Sequence, residues 1–213
     1  MNYAFAKRFY DVGWAVLGLV VLSPVLALIA VLVKFSDGGP VLFRQQRVGQ
    51  GGRLFWICKF RTMVGAAEQR GPGVTRDGDT RITRTGRWLR KSKLDEFPQL
   101  WNVLVGEMSF VGPRPELPRY VARYTPVQRE ILRFKPGITD LATLAFRNEE
   151  DLLASASDIE VFYMTHCVPR KIELNLRYQA QANLWQDTKV ILRTLFIRNE
   201  SKLARETAPE GIV

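Results

Sequence analysis

The sequence has one histidine, His166, and two cysteines, Cys58 and Cys167. Neither cysteine has a C-x-x-C partner, so a disulfide framework and a cysteine-held zinc site are both disfavoured. A single histidine excludes metal sites and catalytic triads built on several of them. His166 precedes Cys167 and Pro169 at an expected helix edge and reads as structural. No Walker A loop and no G-x-G-x-x-G occurs; the glycine cluster at residues 49–52 is too short for either and reads as a hairpin turn. No zinc-finger, RNP or repeat signature accompanies the basic charge, so nucleic acid is not an expected partner. Acidic residues are the minority: 21 Asp and Glu against 31 Lys and Arg, a formal charge of +10 over 213 residues. That excess admits nucleic acid, anionic lipid or a polyphosphate substrate.

What the chain does have is an apolar run over residues 12–33, interrupted by Ser23-Pro24. It is flanked by Lys7 and Arg8 before and Lys34 after. The run has about the ~20 residues that a helix needs to cross a bilayer. A proline inside a helix removes one hydrogen bond and crowds the preceding turn, which predicts a bend. Ser23 can bond a carbonyl of that turn. Positive charge tends to stay cytoplasmic. Basic residues at both ends therefore fit a helix that enters the membrane, bends at the Ser23-Pro24 hinge and returns; a kinked span remains the competing reading. A signal peptide does not fit, because the run is too long and no cleavage site follows. With a membrane segment in the chain, the membrane surface is the first partner for the basic excess.

Beyond residues 1–36, roughly 180 residues remain, enough for one compact domain. Residues 36–40 (SDGGP) form a turn. Residues 41–43 and 54–60 read as short strands of a hairpin that carries Arg44, Arg47, Arg53, Lys59 and Arg61. Residues 65–80 read as a mobile loop. A strongly basic stretch over 82–93 leads into a helical pattern over 94–105, with Pro98 distorting it near Asp95-Glu96. Residues 111–118 (VGPRPELP) are irregular. Helices are expected over 126–134, 149–164, 169–184 and 185–197. The last of these is amphipathic and fits either the membrane interface or the core. Residues 199–213 read as a disordered tail.

Asp95-Glu96 is an acid pair inside a basic and apolar neighbourhood. Two carboxylates together can hold Mg²⁺, a hard cation that keeps positions free for substrate phosphates. One of them can also act as a nucleophile. The surrounding Arg and Lys should keep Asp95 ionised. Pro113-Arg114-Pro115 holds a guanidinium on a stiff backbone, a fork that matches phosphate oxygens. Each feature alone has an ordinary explanation as a solvated helix position or a surface turn. A fixed arginine beside an acid pair points to phosphoryl chemistry.

Together these segments resemble the monotopic phosphoglycosyl transferases of the bacterial sugar transferase family. The resemblance rests on KRFYD (residues 7–11), the SP hinge, GPVLFRQQRVG (39–49), KFRTM (59–63), DTRITRTGRWLRKSKLDEFPQLWNVLVGEMSFVGPRP (79–115) and KPGIT (135–139). It implies an α+β, mostly helical fold: a re-entrant membrane hairpin helix over 1–36, a cytosolic catalytic domain over 37–198 with interfacial amphipathic helices, then the tail. It implies transfer of a sugar 1-phosphate from a UDP-sugar to polyprenyl (undecaprenyl) phosphate, releasing UMP, as the first membrane step of surface glycan assembly. The enzyme would sit on the cytoplasmic face of the bacterial inner membrane, with membrane lipid as a partner and a homodimer allowed. Carried over, Asp95 is the nucleophile that takes the phosphosugar, with Mg²⁺, and Glu96 positions it and the metal. Lys59, Arg90 and Arg114 surround the phosphates, and Arg147 faces the nucleotide. The resemblance favours re-entry over spanning and points to the form without extra N-terminal spans. After PGIT the chain departs from the family pattern, with Asp140-Leu141-Ala142-Thr143 and then Phe146-Arg147-Asn148. The alternative is a non-enzymatic adaptor that binds anionic lipid, for which Asp95 and Glu96 would be dispensable.

Overall fold

A computed structural model describes residues 3–65, 67, 73–75, 78–146, 149–154 and 156–196. The expected tail over 199–213 and part of the expected loop over 65–80 lie outside the described residues.

The apolar run forms one helix, α1 (Tyr3–Asp37), of 35 residues, about 52 Å long at 1.5 Å per residue. It continues through Pro24 without a break. The proline lacks the N–H that would have reached the carbonyl four residues back, at Val20. Ser23 Oγ donates to that carbonyl instead, at 2.8 Å. A hydroxyl thus replaces the donor that the ring removes, and the buried-ladder cost is offset. Most of the helix's apolar side chains face outward, among them Phe9, Trp14, Leu17, Val20, Val21, Leu28 and Phe35.

One stripe of α1 lies along the rest of the chain. The hairpin β1 (Leu42–Val48) and β2 (Leu54–Phe60) is antiparallel, with Leu42 opposite Phe60 and Val48 opposite Leu54. Ala15 of α1 packs with Phe55 and Ile57 of β2; further along, Ile29 and Val33 pack with Phe60. Polar contacts fix the N-terminal end. Lys7 pairs with Asp187 at 2.6 Å, and Tyr3 donates to the same carboxylate at 2.9 Å. Arg8 donates to the carbonyls of Val103 and Leu104, 2.7 and 2.8 Å away, capping the C-terminus of a helix there. The basic residues before the apolar run thus also serve as docking groups.

Two turns lead to the site. α2 (Arg84–Ser92) is capped by Thr83, whose hydroxyl accepts from Gly86 N at 2.9 Å. Gly86 must be glycine: a Cβ there would stand 2.0 Å from Thr62 O. α2 ends at Lys93 in the left-handed region, φ 59°. A 3₁₀ turn, Leu94–Glu96, follows, and α3 (Gln99–Val105) begins after Pro98. The expected single distorted helix over 94–105 is therefore a 3₁₀ turn plus a helix, because Pro98 is tolerated at a helix start and not in its interior.

Two three-residue strands, β3 (Ser109–Val111) and β4 (Gly137–Thr139), pair in parallel. Between them stand the short α4 (Pro118–Val121) and α5 (Pro126–Arg129). After β4 come α6 (Leu141–Ala145), α7 (Glu149–Ala154), α8 (Ile159–Phe162), α9 (Val168–Gln179) and α10 (Leu184–Phe196). The expected helix over 149–164 is divided, with Asp158 capping α8 by accepting from Val161 N. A π-turn, Tyr163–Cys167, joins α8 to α9, and on it His166 stacks on Phe162 with ring centroids 4.7 Å apart. Cys58 and Cys167 are free and buried. Tyr120, Tyr124, Ile131, Leu153, Tyr163 and Ile172 form the largest apolar cluster. α10 has a core face and an outward apolar face: Val190 is buried, while Trp185, Leu192 and Leu195 are exposed.

Candidate active site

Asp95 and Glu96 sit on the 3₁₀ turn, directly after the left-handed Lys93. A left-handed lysine is a strained position, and it turns the chain sharply out of α2. The turn rests on the long apolar helix: Leu94 packs against the cluster that Ile29 and Val33 of α1 form with Phe60 and Leu89.

Asp95 is 6% exposed, and its Oδ1 is buried with no hydrogen-bond partner. Glu96 is the hub of the cations. Its Oε1 accepts from Lys59 Nζ at 2.7 Å and from Arg114 Nη2 at 2.8 Å. Lys59 comes from β2, opposite Phe43. Arg114 comes from the loop after β3.

That loop is held by backbone geometry. Gly112 N donates to Thr139 O at 3.1 Å, and Gly137 N to Pro113 O at 3.0 Å. The chains pass so closely that a Cβ on Gly137 would stand 2.2 Å from Gly112 N. Arg47 Nη1 donates to Pro115 O at 3.3 Å. Asp140, 1% exposed, uses both oxygens: Oδ2 accepts from Arg114 N at 2.9 Å, and Oδ1 caps α6 through Thr143 N. The chain's departure after PGIT thus begins at a residue that fastens the phosphate-type arginine. Its N-cap signal, an Asp before Leu-Ala-Thr-Leu, is legible in the sequence; its contact with Arg114 is not.

The electrostatics divide the two acids. Burial pushes Asp95 above the ordinary carboxylate range, and the adjoining Glu96 charge adds to it; Lys59, Arg90 and Lys93 pull it down by less. Desolvation therefore outweighs the basic field in setting the direction at Asp95, a contribution that the charged neighbours alone do not reveal. Burial also opposes the Glu96 charge, but Arg114 and Lys59 together hold Glu96 well below the usual range. Burial pushes the Lys59 amine down to about 8, against the pull of Glu96.

Of the residues expected from sequence, Asp95, Glu96, Lys59 and Arg114 come together. Arg90 acts on Asp95 through its charge while its Nη2 donates to Thr75 Oγ1 at 3.0 Å. Arg147 lies outside the described residues. Ser23 and Pro24 lie on α1, just before Leu26. Among the described residues, no cluster of three or more His, Cys, Asp or Glu could hold a metal. What the site offers instead is one orphaned, buried carboxylate oxygen on Asp95 beside a Glu96 oxygen already shared by two cations. Such a donor set suits Mg²⁺, which takes few protein ligands and fills its remaining positions with water and substrate phosphate.

The chain matches the bacterial sugar transferase family over residues 2–200. Across 91% of its length it is 38% identical to the UDP-N-acetylgalactosamine-undecaprenyl-phosphate N-acetylgalactosaminephosphotransferase of Aeromonas hydrophila, covering 43% of that protein. It is 37% identical over 89% of its length to the UDP-glucose:undecaprenyl-phosphate glucose-1-phosphate transferase of Escherichia coli, covering 39% of it. With the protein of the same description from Caulobacter vibrioides, 38% identity extends over 89% of this chain and 68% of the relative. The chain therefore spans about two fifths of the first two relatives and about two thirds of the third. Both the matched span and the identity lead to one conclusion: this chain belongs to the bacterial sugar transferase family.

Proposed function

We propose that this chain transfers a sugar 1-phosphate from a UDP-sugar to a polyprenyl phosphate, as the undecaprenyl-phosphate transferases similar to it are named to do. The observation that carries the reading is the buried, unpartnered Asp95 Oδ1 next to Glu96, which Lys59 and Arg114 both contact, on a turn packed against α1. An anionic nucleophile, two cations and an apolar helix meet at one point, and the reaction needs all three.

In the first step an Asp95 oxygen attacks the β-phosphorus of the UDP-sugar. The bond between the β-phosphorus and the bridging oxygen breaks, and UMP leaves with that oxygen. Asp95 then carries the sugar phosphate as an acyl phosphate. In the second step a phosphate oxygen of the polyprenyl phosphate attacks the same phosphorus. The bond to Asp95 breaks, the carboxylate is regenerated, and a polyprenyl-diphosphate sugar leaves. Lys59 and Arg114 sit where they can neutralise the phosphate oxygens in both steps. Glu96 keeps these two cations aimed. Asp95 Oδ1, with Glu96 beside it, would hold Mg²⁺, which supplies charge neutralisation on the diphosphate.

The membrane reading follows from α1. Its two ends dock on the same domain, at Asp187 and at Phe60, while its outer side chains are apolar and exposed. A helix crossing the bilayer would carry one end away from that domain. A helix that enters and returns, or lies within one leaflet, keeps both contacts and buries the apolar face. Exposed Trp88, Trp101 and Trp185 on α2, α3 and α10 suit the headgroup level. This seats Asp95 at the cytoplasmic bilayer face, where a soluble nucleotide and a lipid phosphate can meet.

The test is UMP release by the purified chain over a panel of UDP-sugars, with and without polyprenyl phosphate in vesicles. Sustained release with one sugar that requires the lipid acceptor is expected. Release that ignores the acceptor, or none with any donor, would refute the assignment.

A further inference from the structure

A second pocket lies between the β1–β2 turn and the C-terminal end of α3. It has a volume of about 550 Å³ and is lined by Arg53, Leu54, Val105, Gly106, Glu107 and Lys135, among others. Leu54 and Lys59 stand five residues apart on extended β2, which is about 16 Å at ~3.3 Å per residue. One phosphate cannot touch both this pocket and the Asp95 site.

Its charges are unbalanced. Glu107 is engaged, since its Oε2 accepts from Asn102 Nδ2 at 2.7 Å. Asp11 accepts from Phe110 N at 3.2 Å. Arg53 and Lys135 both line the pocket, and neither has a polar side-chain partner among the described residues. Arg8 stands behind the wall: a Cβ on Gly106 would meet its Nη2 at 3.4 Å. Burial, with Arg8 and Lys7 adding to it and Asp11 opposing, pushes the Lys135 amine down. An incoming anion would relieve that field.

The lining has an apolar residue from each element, Leu54 of β2 and Val105 of α3. Trp56 follows two residues along β2 and Trp101 stands one turn before Val105 on α3; all four are about half exposed. A soluble anion has no use for such a lining, whereas a lipid headgroup has. α3 itself packs along α1, the helix whose outer face the proposed function assigns to the bilayer.

We propose that this pocket binds the phosphate headgroup of an anionic phospholipid. Arg53 and Lys135 take the phosphate, and Leu54 and Val105 cover the glycerol and the first acyl methylenes.

Native mass spectrometry of the full chain in neutral detergent tests this, with phosphatidylglycerol, phosphatidylcholine and inorganic phosphate as separate probes. Phosphatidylglycerol should be retained in preference to phosphatidylcholine. Each cation at a lipid phosphate contributes on the order of a fivefold change in affinity, so Arg53→Gln should weaken retention about fivefold and Arg53→Gln with Lys135→Gln roughly thirtyfold. Arg53 is exposed in the turn, so its variant keeps the fold. Lys135→Arg keeps the charge and should keep binding. Phosphatidylglycerol retention unchanged in the double variant would overturn the proposal. So would inorganic phosphate displacing the lipid as an equal competitor, which would reassign the pocket to a free anion.

Discussion

Arg114 is held from both ends: its side chain by Glu96 and its amide by Asp140. Arg114→Ala is expected to lower kcat/KM at least tenfold, roughly 1.4 kcal/mol of transition-state stabilisation. Asp140→Ala should lower it less, because the guanidinium remains while its aim loosens. That variant should also lose about 1 kcal/mol of stability with the α6 cap. Steady-state kinetics and thermal unfolding of both variants check this; an Asp140→Ala enzyme with wild-type kcat/KM would remove the positioning role. Excess EDTA should abolish turnover and Mg²⁺ restore it, since the donor set is carboxylate oxygen alone. Full activity in EDTA would count against the metal. At this scale the sequence was readable wherever chemistry is local. An arginine between prolines and an acid pair in a basic stretch announce themselves. Asp140 did not, because its contact with Arg114 depends on β4 passing under the Gly112 loop. Nor did the rise of the Asp95 pKa, because burial is a property of the folded chain and the basic neighbours are visible without it.

At the scale of elements, period and punctuation carried the reading. The β1–β2 hairpin was legible from two short apolar runs and a glycine turn, although β1 extends to Val48. The β3–β4 pair was not, since three residues per strand leave no period to read. The division of the expected helix over 149–164 had a signal in Asp158, an N-cap type that outweighed the apolar pattern around it. Gly86 shows how tightly α2 is seated. Gly86→Ala would drive a Cβ into the Thr62 backbone, and backbone cannot step aside as a side chain can. We expect a loss of about 1–3 kcal/mol and a displaced Asp95 turn, seen as a lower unfolding midpoint together with lower kcat. Gly13→Ala, with open space around its Cβ position inside α1, is the control: kcat should be unchanged and the unfolding midpoint should not fall, since Ala is favoured over Gly in a helix by up to about 1 kcal/mol.

The whole molecule is organised by α1, which is at once an apolar surface and one wall under the Asp95-Glu96 turn. Cysteines introduced at residues 4 and 37 should both label from the cytoplasmic side; labelling of one only from the periplasm would replace re-entry with a span. The apolar run was plain in the sequence, but its docking was not. The sequence offered flanking charges, and the structure turned them into the Lys7–Asp187 and Arg8–Val103 contacts, which join residues 180 and 95 positions apart. The central claim is that Asp95 carries the phosphosugar. The direct measurement is peptide mapping after incubation of the chain with a UDP-sugar labelled in the sugar, without lipid acceptor. The account predicts a label on Asp95 with about one UMP released per labelled chain, and neither in Asp95→Asn. A label on another residue, or turnover that requires donor and acceptor bound together, would contradict it.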